Sequence, residues 1–296
     1  MTLKRIALCF YRSRLGKLLF NLLPDSVFLR IQYRSIMGKN LNLSDPKGFN
    51  EKLQWLKLHD RKSEYSIYAD KYAVRNFIRD TIGEQYLVKL LGMWTAAEDI
   101  KFDDLPEKFV IKGSHDSGSV IVCRNKKKLD VQDTIKKMKL TLLKNNFYYG
   151  RDWPYKNIMP RIIAEEYLES GPEGLTDYKF YCFDGIPKFL YISSGLENHS
   201  AAHITFYDME GKRMPFQRAD YPVHEIDPPL PSQFEKMKEI AEVLARRVNA
   251  PFVRIDLYCV NDKIYFSEIT FRPCSGYMRF NPLEWDEKVG NLINLK

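Results

Sequence analysis

Two segments near the C-terminal end carry acidic side chains at a spacing that suits a divalent cation. Arg254-Ile255-Asp256-Leu257 and Phe266-Ser267-Glu268-Ile269-Thr270 read as two β-strands joined at Asn261-Asp262. Side chains alternate between faces along a strand. An in-register pair therefore sets Arg254, Asp256, Glu268 and Thr270 on one face, and the intervening Ile255, Leu257, Phe266 and Ile269 are mainly apolar. Two carboxylates converging on one β-ribbon make a Mg2+ site when phosphate oxygens complete the shell. The competing reading is an ion pair of Asp256 with Arg254 or Arg272.

A second constellation is the hairpin Lys112-Gly113-Ser114-His115-Asp116-Ser117-Gly118-Ser119. Glycines let backbone N–H groups approach phosphate oxygens, and Lys112 adds a point charge for the same oxygens. The pattern GxxxxGK[ST] is absent, so a plain turn is the alternative. A third is Ala164-Glu165-Glu166-Tyr167-Leu168, an apolar strand ending in adjacent acids. It suits an adenine on backbone groups and a ribose on a carboxylate, or else a solvated strand edge.

The elements that must position these residues need a sizeable core. A chain of 296 residues, 45% hydrophobic and 28% charged, supplies one and is not disordered. The net charge of +8 is local: residues 1–39 hold eight basic side chains against Asp25. The rest is nearly neutral and shows no nucleic-acid-binding motif. The five cysteines, Cys9, Cys123, Cys182, Cys259 and Cys274, form no CxxC pair, which fits a reducing compartment, the cytoplasm, rather than a disulfide framework. No stretch is apolar and long enough to span a bilayer. Residues 5–23 read as a basic helix, either lying on an anionic membrane surface or docked on the protein's own body.

Along the chain, residues 24–60 give helical pieces around a turn at 42–48, and residues 66–82 suit one helix ending before Gly83. Leu87 to Leu91 is a strand, Lys108 to Lys112 and Val120 to Cys123 pair, and 130–145 is a Lys-rich helix. A second lobe begins near Arg161. It contains strands at 162–168, 177–183 and 188–192, the last two joined at Asp184-Gly185, then a strand at 203–208, a helix at 232–248 and the acidic hairpin. This divides the chain into a basic helical segment 1–65 and lobes 66–160 and 161–296.

The order of lysine hairpin, acidic hinge strand and Asp…Glu hairpin resembles the ATP-grasp superfamily. Phe49-Asn50-Glu51-Lys52-Leu53-Gln54-Trp55-Leu56, Asp70-Lys71-Tyr72-Ala73-Val74-Arg75, Asp177-Tyr178-Lys179-Phe180 and Ser267-Glu268-Ile269-Thr270-Phe271 together resemble its TupA-like branch, from about residue 40 to the C-terminus. That branch is named for teichuronopeptide biosynthesis and goes with surface-polysaccharide gene clusters, including capsule and O-antigen. The resemblance implies an α+β fold of two lobes enclosing ATP, preceded by the helical segment. It implies ATP and Mg2+ as cofactors. Lys71 and Lys112 would hold phosphates under the loop Gly113, Ser114, Ser117, Gly118 and Ser119. Glu165, Glu166, Tyr167 and Leu168 would meet the adenine, Asp177 the ribose or metal, and Lys179 phosphate or substrate charge. Asp256, Glu268 and Thr270 would bind Mg2+, with Arg254 and Lys112 catalytic. Thr270 departs from the usual Glu-x-Asn, and a hydroxyl is a weaker ligand than an amide carbonyl.

The implied reaction is carboxylate–amine ligation through an acyl phosphate. The implied substrates are a small-molecule or lipid-linked glycan and an amino acid or amino sugar, at the cytoplasmic face of the membrane. Direct phosphorylation of a glycan hydroxyl, with His115, Asp116 or His203 as base, is the second reading. A sugar-transferring or non-catalytic member of the pathway is the third. His199, His203, Arg213, Arg218 and His224 fall in a segment, 195–231, that either helps build the acceptor pocket or is a solvated insertion.

Overall fold

A computed structural model describes residues 22–169, 174–195 and 202–295. Most of the helix expected over 5–23, residues 170–173 of an expected loop, Cys9 and His199 lie outside these. Two antiparallel sheets organise the rest. The first contains β1 (Leu90–Trp94), β2 (Phe109–Gly113), β3 (Val120–Cys123) and β4 (Ile162–Glu166), in the order β1-β4-β2-β3. The second contains β5 (Asp177–Phe183), β6 (Ile186–Ser194), β7 (His203–Asp208), β9 (Phe252–Val260) and β10 (Lys263–Thr270), in the order β10-β9-β5-β6-β7. A small ribbon pairs β8 (Gln217–Arg218) with β11 (Phe280–Asn281).

The helices are α1 (Asp25–Met37), α2 (Phe49–His59), α3 (Tyr65–Ala69), α4 (Val74–Thr81), α5 (Val131–Leu142), α6 (Phe147–Gly150), α7 (Phe234–Val248) and α8 (Trp285–Gly290). Local signals account for several boundaries. Asp130 caps α5 by accepting from Asp133 N–H. Asp184-Gly185 and Asn261-Asp262 all have positive φ, which the two-residue turn matching a right-handed hairpin twist requires.

The single helix expected over 66–82 is instead α3 and α4, broken at an extended Asp70. The break has a cause: the Asp70 carboxylate accepts from Tyr72 N–H at 2.9 Å and from Arg161 at 2.8 Å, while Lys71 N–H donates to Ser114 O at 2.9 Å. These bonds replace the helical ladder and bring Lys71 to the β2–β3 hairpin. The strand expected from Leu87 begins at Leu90, and Leu87 makes an isolated bridge to Phe266.

The expected division at residue 161 separates β4 from the sheet it completes. Its Ile163 lies opposite Lys112 of β2, and the chain crosses to the second sheet only after Leu168. Ala69, Val74 and Ile78, expected in the first lobe, share a core with Tyr65, Phe180, Ile255 and α7 on one face of the second sheet. The helices α1 and α2 of the N-terminal segment belong to the body. Phe49, Leu53 and Leu56 of α2 pack with Tyr181, Phe183 and Phe252 on the other face of that sheet. Buried hydrophobic area is the main driving force for such packing, and α2 covers only the aromatic half of its face. The polar half, Asp177, Lys179, Arg254 and Asp256, is left to the site. The first sheet has its own core, in which Phe109, Ile111 and Ile162 pack with Met138 of α5.

Candidate active site

Val260 pairs with Lys263 across the β9–β10 turn. Counted back from there, an unbroken ladder would set Glu268 opposite Ile255 and turn it to the core face. The register shifts between Phe266 and Glu268, so Ser267 is the extra residue of a β-bulge. Glu268 thereby lies opposite Asp256, and Thr270 opposite Arg254. The neighbouring strand adds Lys179, opposite Asp256, and Asp177, opposite Tyr258.

These side chains form one bonded cluster. Arg254 donates from Nε and Nη2 to the two oxygens of Asp256 at 2.7 and 2.6 Å. The same Nη2 lies 3.1 Å from Glu268 Oε1 and 3.1 Å from Thr270 Oγ1. Lys179 bridges Asp256 at 2.7 Å and Asp177 at 2.9 Å. Asp256 is fully buried, whereas the Glu268 side chain is 27% exposed. Burial would push the Glu268 carboxyl up, but the charges of Lys71, Lys179 and Arg254 override it and hold it well below the usual carboxylate range. Burial raises Asp177 despite Lys179. It opposes the charge on Lys179, yet Asp177 and Asp256 hold that lysine well above its ordinary value.

Lys71 connects the two sheets. Its Nζ donates to Asp116 O at 2.8 Å and lies 3.5 Å from Glu268 Oε2. Lys112 pairs with Glu165 at 2.5 Å, and Arg75 meets the other Glu165 oxygen at 3.3 Å. Glu165 is therefore held between two cations. The other hinge residues diverge: Glu166 is exposed, Leu168 is buried, and the Tyr167 hydroxyl accepts from Arg124. The hairpin loop is less open than its composition suggests. Ser114, His115, Asp116 and Ser119 are buried, and only Ser117 and Gly118 form an exposed tip. Asp116 accepts from Ser119 and meets Lys144, and the His115 ring bonds Thr141 O at 3.1 Å. His203 sits on β7, at the sheet edge away from Asp256.

The donor set fits Mg2+ shared with phosphate oxygens. Glu268 and Thr270 would be the accessible ligands, and Asp256 stands behind them with both oxygens engaged. Among the described residues no group of three or more His, Cys, Asp or Glu side chains clusters to hold a metal, and a cation completed by phosphates does not need one.

The sequence reading missed Arg75, whose signal was its place at the end of the Asp70–Arg75 motif, and two tyrosines, the half-buried Tyr155 and the buried Tyr191. Tyr191 OH lies 3.5 Å from Arg254. It also missed Lys57 of α2, which is fully buried and pushed down to about 7 by burial, against Asp152, with Arg272 adding to the drop. The folded state then binds one proton fewer than the unfolded chain between that value and the ordinary 10.5. The penalty is complete below about pH 7 and is relieved as pH rises. Relative to Lys57→Met, the protein is expected to gain on the order of 1.4 kcal/mol per pH unit across this window. Parallel urea titrations at pH 7 and 9 check it, and equal slopes would exclude a depressed Lys57.

Two antiparallel sheets, one offering a lysine hairpin and the other an Arg–Asp–Glu cluster, with a lysine joining them, define an ATP-grasp arrangement. A family profile described as TupA-like ATPgrasp matches residues 51–294. The chain belongs to the TupA-like ATP-grasp family. No curated protein matches it. Solved structures similar to it include a D-alanine–D-alanine ligase from Bacillus anthracis, at 16% identity and a TM-score of 0.41, with 69% of this chain and 57% of that one covered. Another is N5-carboxyaminoimidazole synthetase from Staphylococcus aureus complexed with ADP, at 13% identity and 0.41, covering 77% and 53%. A RimK domain protein ATP-grasp from Sphaerobacter thermophilus is 10% identical at 0.41, covering 77% and 69%. The chain thus spans little more than half the length of the first two, and the family match carries the assignment.

Proposed function

We propose that this protein binds Mg-ATP between its two sheets and uses it to join a carboxylate to an amine, in the synthesis of a cell-surface polysaccharide. The observation that carries the reading is the convergence of Lys71, Arg254, Glu268 and Thr270 at the junction of the lysine hairpin with the second sheet. Lys71 and Lys112 supply charge for phosphates, Lys112 by exchanging its partner Glu165 for an incoming oxygen. Glu268, with Asp256 and Thr270, would hold Mg2+, which shields phosphate charge and so eases attack on phosphorus. Arg254, locked by Asp256, places a guanidinium where charge develops in transfer. The acceptor carboxylate attacks the γ-phosphorus and releases ADP; an amine then displaces phosphate from the acyl phosphate, giving an amide. This chemistry needs positioning rather than a protein nucleophile.

Ligation is favoured over hydroxyl phosphorylation by the fate of the candidate bases. His115 is buried against Thr141 of α5, Asp116 is buried against Ser119 and Lys144, and His203 lies on the far strand. The acceptor fits a uronic acid or amino acid, free or lipid-linked, with an amino acid or amino sugar as the amine. The basic residues of 1–39 suit the anionic inner face of a membrane, and among the described residues no helix is long and apolar enough to cross one.

Calorimetry with and without Mg2+ tests the site. Intact protein is expected to bind ATP in a Mg2+-dependent way. Lys112→Ala and Glu268→Gln are each expected to weaken binding by about tenfold or more. Absence of binding at millimolar nucleotide would remove the reading.

A further inference from the structure

The motif Phe49 to Leu56 lies outside the nucleotide chemistry, yet one face of its helix is polar and buried. Asn50, Gln54 and Lys57 follow one another at four and three residues along α2, hence on one side of it, and all three are fully buried. Each donates to the main chain that follows β10. Asn50 Nδ2 reaches Met278 O at 2.7 Å. Gln54 Nε2 reaches Ser275 O at 3.0 Å and Gly276 O at 2.8 Å. Lys57 Nζ reaches Ser275 O at 2.8 Å and Ser275 Oγ at 3.0 Å.

The loop they hold is strained. Cys274 and Ser275 both have left-handed backbones, φ 51° and 52°, a conformation that non-glycine residues keep only when their surroundings impose it. The surroundings are tight. A Cβ on Gly150 would lie 2.3 Å from Ser275 Oγ, and one on Gly276 would lie 2.5 Å from Gln54 Nε2. Burying three polar side chains, one a lysine, is costly on its own account. The loop begins two residues after Thr270 and leaves the Cys274 side chain exposed.

We infer that Asn50, Gln54 and Lys57 are positioning residues: they fix the strained Arg272–Tyr277 chain as the surface that meets the acceptor, with no part in nucleotide binding. This rests on the proposed ligase reading. It gives the N-terminal helices a role in the reaction beyond that of a lid on the aromatic core.

The test uses the full chain with Cys9→Ser and Cys259→Ser, which leaves Cys274 as the reactive thiol because Cys123 and Cys182 are buried. Iodoacetamide labelling of Cys274 is followed in Mg-AMP-PNP, with D-glucuronate or L-glutamate added. One of these carboxylates is expected to slow labelling roughly tenfold. Lys57→Met and Gln54→Leu should lose that protection while calorimetric nucleotide affinity stays unchanged. Adding Ser275→Gly to Lys57→Met should restore protection, because glycine holds the left-handed backbone unaided. Protection that survives both single variants overturns the inference. So does its absence in the parent with either carboxylate, a loss of nucleotide affinity that accompanies it, or a failure of the glycine to restore it. A parent that binds no nucleotide at all removes the ATP reading first, and the inference with it.

Discussion

Asp256→Ala is expected to lower the stability of the folded chain by roughly 3–5 kcal/mol, the usual result of stripping one partner from a buried ion pair. The carboxylate has no exposure and accepts from Arg254 at both oxygens and from Lys179 at one of them. Without it, two cations stay buried with only Asp177 and Glu268 to answer them. Asp256→Asn keeps the shape and one acceptor, so its loss should be smaller. Urea denaturation at pH 7 measures both. A loss under about 1 kcal/mol for alanine, the range of exposed pairs, would show that water reaches the cluster. Because the alanine variant is so damaged, Glu268→Gln is the cleaner probe of the metal.

Arg254→Lys should cut the rate of ADP formation by about a hundredfold to a thousandfold, the scale of losing one preorganised donor to developing charge. The guanidinium fork spans Asp256, Glu268 and Thr270 together, and a single ammonium on a flexible stem cannot. The KM for ATP should stay within a few-fold, since on the proposed reading the lysines, not Arg254, would meet the nucleotide's ground state. A coupled ADP assay reads both values. A matching rise in KM would place Arg254 in binding rather than in transfer.

Which residues gather together was more legible in the sequence than how the strands pair. Lys112, Asp256 and Glu268 stood out because strand alternation and a small-residue loop are local patterns. The lobes did not, because sheet membership is decided by pairing between distant segments: nothing near Ile162 says that β4 inserts between β1 and β2. The break at Asp70 was hidden for the same reason, since its partners Ser114 and Arg161 lie far along the chain. The hairpin loop looked open because Gly and Ser are small, yet Asp116 and Thr141 fill it. The shared face of Asp256 and Glu268 was anticipated from simple alternation, but the turn at Asn261-Asp262 gives an unbroken ladder the opposite result. Only the bulge at Ser267 reconciles them, and no residue type announced it.

That bulge makes the hairpin a matter of parity. With the bulge kept, each residue added to or removed from one arm between the turn and Glu268 swaps which side chains face the Asp256 cluster and which face α7. Lengthening the tip by one residue on each arm preserves the count, and so does losing the bulge together with one compensating insertion. Over divergence, relatives of this chain that keep the bulge can drift freely in hairpin length only in even steps. An odd step leaves every site residue present in the sequence and half of them facing the wrong way.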